Sequence, residues 1–179
     1  MDVTIRRTSD QDYPVLVNLY REVARISGGI IRTDREINFD YINEFIENSL
    51  RQGLSLVAER DSGIVGEIHA YTPEIYAFRH MLSELTIVVH PDHQRQGIGR
   101  KLFTAFLNIV QREFPHILRL ELYVREENKP IVRFYESLGF INEGRQKNKI
   151  LNADNELETP LHMAWFNPNF ILPKNKTHP

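Results

Sequence analysis

The chain has 179 residues, of which 41% are hydrophobic and 26% are charged, and its formal net charge is −2. These values are typical of one globular domain with a sizeable core, and the charge argues against a nucleic-acid-binding surface. Cysteine is absent, which excludes disulfides, cysteine-ligated zinc and a thiol nucleophile. Because no apolar stretch resembles a signal peptide or a membrane span, we expect a cytoplasmic protein without membrane contact. We expect one domain over residues 1–179, with a core of about 3–166 and a C-terminal tail at 167–179.

Hydrophobic periodicity and turn residues predict the elements of the N-terminal half. In chain order, the sequence predicts a strand at 3–6, a helix capped by Asp10 and stopped at 27–29, a helix capped by Asp34 and ended before Gly53, and strands at 54–60, 64–71 and 82–89. The middle two strands are separated by Asp61-Ser62-Gly63, which is typical of a hairpin turn.

The C-terminal half continues with alternating elements. The sequence predicts a helix with Leu102, Phe106, Ile109 and Val110 on its buried face, a strand at 118–124, a helix capped by Asn128 with Ile131, Phe134, Tyr135 and Leu138 inward, and a hairpin of 144–151 with 156–166. The order β-α-α-β-β-β-α-β-α-β-β indicates a mixed α/β domain with antiparallel hairpins at both ends. Its central strand-helix-strand unit should be a right-handed crossover with parallel strands.

A glycine-containing junction, HPDHQRQGIGRKL from His90 to Leu102, lies between the fourth strand and the third helix. A helix N-terminus offers free amides and positive potential, and glycine lets a ligand approach closely, so an anion such as phosphate is favoured. A P-loop would need Lys-Ser/Thr after Gly99, where Arg100 stands, and a dinucleotide fingerprint would need a third glycine at position 102. The simplest alternative is a strand-to-helix turn that happens to contain Gly97 and Gly99.

The extended pattern around this junction resembles the pyrophosphate loop of the GCN5-related N-acetyltransferases, the GNAT family. Val89, Gln94, Gly97 and Gly99 have the family's spacing. The segment ELYVREENKPIVRFYESLGF, 121–140, is similar to the family's strand, its Asn-containing helix start and its Tyr-x-x-x-Gly-Phe ending. The resemblance covers the element order over 3–166 and implies a GNAT-like mixed sheet whose fourth and fifth strands are parallel and splayed.

The resemblance implies an N-acetyltransferase that moves an acetyl group from acetyl-CoA, its co-substrate, to a primary amine by direct attack in a ternary complex, without a metal. The closing hairpin is similar to that of small-molecule and amino-acid acetyltransferases, so the expected partner is a small-molecule amine. The implied cofactor contacts are Ile87, Val88, Val89, Gln94, Arg95, Gln96, Gly97, Ile98, Gly99, Arg100 and Asn128.

The resemblance also implies catalytic residues. Tyr135 corresponds to the donor of a proton to the departing thiolate, and a phenol with a reference pKa near 10 suits an acid. Packing on the apolar helix face is the alternative for Tyr135, just as helix capping alone is for Asn128. Some family members have a catalytic glutamate where this chain has Tyr123. Glu84, at the start of the fourth strand, is the predicted substitute; Glu67, Glu121 or a water are the alternatives.

Other features have less specific interpretations. His90 and His93 lack the carboxylate partners of a metal site and are expected in a solvated loop. The connection 25–37 borders the acceptor pocket in the family, so 27–31 is either a lid or an ordinary linker. A non-catalytic acyl-CoA sensor, a protein N-terminal acetyltransferase and a partner-binding domain with an empty cleft are the alternative functions. Exposed hairpins in such folds often pair, which would give a homodimer.

Overall fold

The computed structural model describes residues 2–26, 29–61, 63–152 and 154–172. Four helices are present in this part of the chain: α1 Tyr13–Ala24, α2 Phe39–Gln52, α3 Ile98–Glu113 and α4 Lys129–Ser137. The strands are β1 Thr4–Arg7, β2 Gly53–Arg60, β3 Gly63–Tyr71, β4 Met81–Val89, β5 Arg119–Arg125, β6 Ile141–Arg145, β7 Ile150–Leu151, β8 Leu157–Glu158 and β9 Pro160–Phe166.

One seven-stranded sheet organises the fold, in the order β1-β2-β3-β4-β5-β9-β6. Neighbours from β1 to β4 are antiparallel, β4 and β5 are parallel, and β9 runs antiparallel to both β5 and β6. The parallel step is the place where the chain crosses over through α3. The predicted fold class, a mixed α/β sheet with parallel fourth and fifth strands, is confirmed.

The predicted C-terminal hairpin is divided into two ladders. Its base is β6 against β9, whereas β7 and β8 form a separate two-stranded sheet. The register of the base shifts between Asn142 and Gly144, and Gly144 has a φ of 152°. Because a bulge twists its strand, the two arms cannot continue as one regular ladder. Ala153, in the turn of the hairpin, lies outside the described residues.

Apolar residues on both faces of the sheet anchor the helices. On one face, Leu102, Phe103 and Phe106 of α3 pack with Val132 and Tyr135 of α4 in a single core. On the other face, the buried apolar residues of α1 and α2 are Tyr13, Leu16, Leu19, Tyr20, Val23, Ile42, Phe45 and Ile46. The sheet therefore has one helical layer over each face.

Three sequence expectations about the helices were wrong. Asp10 lies in a short 3-10 turn that follows Ser9, and Asp12, rather than Asp10, is the N-cap residue of α1. Asn38, rather than Asp34, caps α2 by accepting a hydrogen bond from the amide of Tyr41 at 2.9 Å. Asp34 instead begins a short 3-10 turn that Thr33 precedes. In α4 the inward residue is Val132 and Ile131 is 38% exposed, because Val132 lies one helical turn before Tyr135 on the same face. The first helix ends at Ala24, before the predicted stop at 27–29, of which Ser27 and Gly28 lie outside the described residues.

The beginning of the C-terminal tail docks on the domain. The amide of Asn167 bonds the carbonyl of Leu118 at 2.8 Å, and its buried side chain donates to the carbonyl of Ile117 at 3.0 Å. Further on, the amide of Ile171 donates to the carbonyl of Pro115. Across the described residues, none of the helices combines the length and apolar character needed to cross a membrane.

Candidate active site

A V-shaped gap between β4 and β5, called the cleft below, is the central feature of the sheet. The two strands pair only at Met81 with Arg119 and at Leu82 with Leu120. β4 nevertheless stays paired with β3 as far as Val89. From residue 83 onward, the backbone edge of β4 that faces β5 therefore makes no ladder pair with β5, which bears out the predicted splay.

A β-bulge in β4 begins where the cleft opens. Tyr71 pairs with Ser83 and His69 pairs with Thr86, so β4 has one residue more than β3 over this interval. Glu84 lies inside the bulge with a φ of 54°. Because a bulge bends its strand and increases its twist, it accounts for the divergence of β4 from β5.

The glycine-containing junction forms a loop at the open end of the cleft. Arg95 and Gly97 both have left-handed backbones, with φ of 58° and 78°. The first hydrogen bond of the α3 ladder runs from the Lys101 amide to the Gly97 carbonyl, at 3.0 Å. The amides of residues 98–100 therefore have no helical acceptor and lie at the positive end of a sixteen-residue helix. This geometry suits a bound anion.

Most polar side chains of the loop are used to shape it. Gln94 donates to the Val89 carbonyl at 3.0 Å, and Gln96 donates to the Asp92 carbonyl at 3.1 Å. The Arg100 side chain points to α4, where it donates to the Ser137 hydroxyl at 2.9 Å. Among the predicted cofactor contacts, these residues can therefore offer backbone amides more readily than side chains.

Arg60 is a cation beside the loop that the sequence analysis missed. Its guanidinium donates to Gln96 Oε1 at 2.7 Å and lies 3.2 Å from His93 Nδ1. Arg60 is the last residue of β2, so it reaches the loop only because of the order of the strands in the sheet, which no local sequence pattern indicates. His90 and His93 are half-buried in and before the short turn that precedes the loop, and the described residues contain no group of side chains suited to hold a metal ion.

Tyr135 packs among aromatic rings of α3, of α4 and of the residue that precedes β6. It is 7% exposed, and its ring centroid lies 5.7 Å from those of Phe103 and Phe140. Burial raises the pKa of Tyr135 to about 12. Its phenol is therefore protonated at neutral pH and can donate a proton. At the start of the same helix, Asn128 Oδ1 accepts a hydrogen bond from the Ile131 amide at 3.4 Å, as the capping interpretation expects.

The two strand glutamates nearest the bulge have opposite surroundings. Glu84 is exposed. Burial, and to a smaller extent the charge of Glu84, raise the pKa of Tyr71. Glu67 is fully buried and accepts hydrogen bonds from Tyr20 at 2.5 Å and Ser55 at 2.7 Å. Enclosed in this way, the carboxylate of Glu67 is poorly placed to contact a ligand, whereas that of Glu84 is accessible to one.

Four charged or titratable side chains, called the acceptor-side cluster below, gather at the closed end of the cleft: Arg119, Glu121, Glu143 and His162. They come from β5, β6 and β9 and project from the face opposite α3 and α4. The Ser83 hydroxyl of β4 donates to Glu121 Oε1 at 3.1 Å, across the point where the ladder ends. Of these four residues only Glu121 was a candidate from the sequence, because the strand pairing that adds His162 and Glu143 is non-local.

Comparison with known proteins agrees with this geometry. A family model described as an acetyltransferase (GNAT) domain matches residues 51–142. An L-methionine sulfoximine/L-methionine sulfone acetyltransferase of Salmonella typhimurium is 24% identical, over 77% of this chain and 80% of its own length. An L-amino acid N-acyltransferase of Escherichia coli is 23% identical, over 78% and 80%. The structure of yncA from Salmonella typhimurium, solved with its cofactor acetyl-CoA, superposes with a TM-score of 0.84 at 20% identity, covering 97% of this chain and 99% of that one.

Proposed function

This chain belongs to the GNAT acetyltransferase family, and from that premise we propose that it transfers an acetyl group from acetyl-CoA to the primary amine of a small molecule. The proposed acceptor class is an amino acid or a close analogue, which is supported by the names of the two curated relatives. The acetyl group moves by direct attack of the amine in a ternary complex.

The observation that carries this proposal is the cleft with an anion-binding loop at its open end. β4 runs directly from its unpaired edge, Ser83–Val89, into the loop amides of 95–100. The loop amides would hold the pyrophosphate. The edge around Ile87–Val89 would accept the amide-containing pantetheine arm as an added strand. Asn128 caps α4 on the other side of the cleft, where its amide would reach the same arm.

The chain's own residues supply the chemistry around an activated thioester. Tyr135 would protonate the departing sulfur, and its burial keeps the phenol in the donating form. Backbone amides of β4 within the cleft would stabilise the developing oxyanion, for which one donor is typically worth about 3 kcal/mol. Glu84 is the proposed catalytic carboxylate on the acceptor side, where it would meet the incoming ammonium group and orient it.

Calorimetry with acetyl-CoA, followed by thiol release on an acceptor panel, tests the proposal. The panel should contain L-amino acids, methionine analogues, polyamines and short peptides with a free N-terminus. We expect acetyl-CoA to bind with micromolar to sub-millimolar affinity and one acceptor class to turn over. Cofactor binding without turnover would favour an acyl-CoA sensor. No binding at millimolar acetyl-CoA would contradict the proposal.

A further inference from the structure

The acceptor-side cluster is compact and partly buried. Its four side chains are between 15% and 27% exposed. Glu121 is the residue on β5 directly after the last pair with β4, so the cluster begins where the cleft closes. His162 lies opposite Tyr123 in the ladder of β5 with β9, and Gly144 of β6 pairs with it from the other side.

Glu121 and His162 are in close contact, but the contact does not have the angles of a hydrogen bond. Glu121 Oε2 and His162 Nε2 are 3.2 Å apart, yet Nε2 is a buried atom without an aligned hydrogen-bond partner among the described residues. On the other side of the ring, His162 Nδ1 lies 3.6 Å from Glu143 Oε2. The imidazole is thus flanked by two carboxyl groups, one of which also faces the closed end of the cleft.

Amine acetylation needs a proton acceptor at this end of the cleft. A primary amine arrives as an ammonium group at neutral pH and must lose a proton before its lone pair can attack. An exposed carboxyl group has a reference pKa of about 4.3 and is a weak base for this task, whereas an imidazole, at about 6.5, is matched to neutral pH. One residue, an exposed carboxylate, can therefore orient the ammonium group while another group removes its proton.

We propose that Glu121 and His162 form a proton relay for the acceptor amine, an inference that rests on the proposed function. An N–H bond of the ammonium breaks as an O–H bond forms on Glu121. That O–H bond then breaks as an N–H bond forms at His162 Nε2. The freed amine lone pair attacks the thioester carbonyl carbon, and the C–S bond breaks as the proton of Tyr135 forms an S–H bond. The new amide nitrogen then loses its remaining extra proton, which restores the Tyr135 phenol. The imidazolium afterwards releases its proton to solvent.

The charges around His162 suit this cycle. Glu121 and Glu143 both stabilise an imidazolium, and Arg119 bonds both carboxylates, at 3.2 Å and 2.6 Å, which fixes their positions. Tyr123 faces the imidazole at 4.9 Å, and the Lys149 ammonium lies 3.6 Å from the Tyr123 ring. With His162 neutral, the acceptor-side cluster has a formal charge of −1, and protonation brings it to zero. Glu121 and His162 are thus assigned as catalytic residues, and Arg119 and Glu143 as positioning residues.

The test compares His162→Gln with His116→Gln, a control at an exposed histidine that lies outside the cluster. Acetyl-CoA affinity is measured by calorimetry, and kcat is measured against pH with the acceptor found in the panel. We expect His162→Gln to lower kcat at least tenfold and to remove the loss of activity at low pH, with acetyl-CoA affinity unchanged within twofold. Wild-type kcat with the same acid limb in His162→Gln would overturn the relay.

Glu143→Gln provides a second test, in which the His162 imidazole is kept. Removing this carboxylate takes away a negative charge beside the imidazolium. The acid limb, which is the fall of kcat at low pH, should therefore move to lower pH while acetyl-CoA affinity stays the same. An unmoved acid limb would overturn the assignment of His162 even if His162→Gln fails to fold. Failure of the wild-type chain to bind acetyl-CoA would instead contradict the proposed function, and the relay with it.

Discussion

Tyr135 is the residue whose proposed role can be separated most clearly from packing. Its ring fills the space among Phe103, Phe134 and Phe140, and Tyr135→Phe keeps that ring. We expect kcat to fall by about 10²- to 10⁴-fold, because general acid catalysis contributes that much, while acetyl-CoA affinity is unchanged. The free energy of unfolding should change by less than about 0.5 kcal/mol. Steady-state kinetics with calorimetry checks this, and unchanged kcat would assign Tyr135 to packing alone.

The raised pKa of Tyr135 also predicts a pH dependence of stability. The folded-state pKa is about 12, above the reference value of 10.0 in the unfolded chain. The stability linked to this group is therefore fully present below pH 10 and is lost as pH rises through about 12. Comparing urea unfolding of wild type and Tyr135→Phe at increasing pH isolates the effect, since the variant lacks the titrating group. Parallel pH profiles would contradict the shift.

The backbone conformation at Gly97 favours glycine, whereas the conformation at Gly99, two residues later, does not require it. Gly97 has a φ of 78°, where alanine costs about 1–2 kcal/mol, whereas a Cβ on Gly99 would only meet Val89 Cγ2 at 3.8 Å. We expect Gly97→Ala to lower both Tm and acetyl-CoA affinity. Gly99→Ala should keep the wild-type Tm, so any affinity it loses reports direct contact with the ligand. Equal Tm values for both variants would contradict the strain at Gly97.

At the scale of elements, the bulge of β4 combines a strained backbone with a proposed functional side chain. Glu84 has a left-handed φ of 54°, a conformation that costs a non-glycine residue about 1–2 kcal/mol. Glu84→Gln keeps the strain and removes the charge, so we expect an unchanged free energy of unfolding and a raised KM for the amine. Glu84→Gly removes both, so it should be at least as stable as Glu84→Gln with a similar KM.

For both Glu84 variants, chemical denaturation gives the free energy of unfolding, and initial rates at increasing amine concentration give KM. A glycine variant clearly less stable than the glutamine variant would show that the bulge is not strained. An unchanged KM in both would remove Glu84 from the acceptor site and leave ammonium binding to the acceptor-side cluster.

The elements were largely predictable from the sequence because their signals are local. Alternation in β5, the Asn128 cap and the apolar period of α3 each lie within a short window, and their placement is confirmed. On the inward face of α4 only Ile131 was wrongly predicted, since Ile131 and Val132 are equally apolar and only tertiary packing distinguishes them; Tyr135 is buried, and Phe134 and Leu138 pack against the core, as expected.

The acceptor-side cluster could not be predicted in the same way. Glu121 and His162 are 41 residues apart in the sequence, and their contact depends on β9 inserting between β5 and β6. Nothing local to either residue encodes that strand order. The bulge at Glu84 was equally hidden, because it is defined by the register of β4 against β3 and not by a glycine.

At the scale of the whole molecule, a buried polar network joins the layer of α1 to the sheet beneath it. Glu67 of β3 binds Tyr20 of α1 and Ser55 of β2, and the Ser55 hydroxyl lies 2.5 Å from that of Thr8. All four residues are less than 5% exposed. Since a buried donor or acceptor without a partner costs free energy, the network fixes how the helix sits on the strands that carry the cleft.

Tyr20→Phe tests that coupling with little change in shape. Because it removes a hydrogen bond to a buried acidic acceptor, we expect the free energy of unfolding in urea to fall by about 1.5–3 kcal/mol. In a Glu67→Ala background the same substitution should cost less than about 1 kcal/mol, since the acidic partner is gone and only the 3.2 Å contact of the Tyr20 hydroxyl with His69 Nδ1 remains. Tyr76→Phe, at a tyrosine that is 75% exposed, is the matched control and should be neutral. Additive losses in the double variant would show that the Tyr20 hydroxyl does not act through Glu67, and would contradict the proposed coupling between α1 and the sheet.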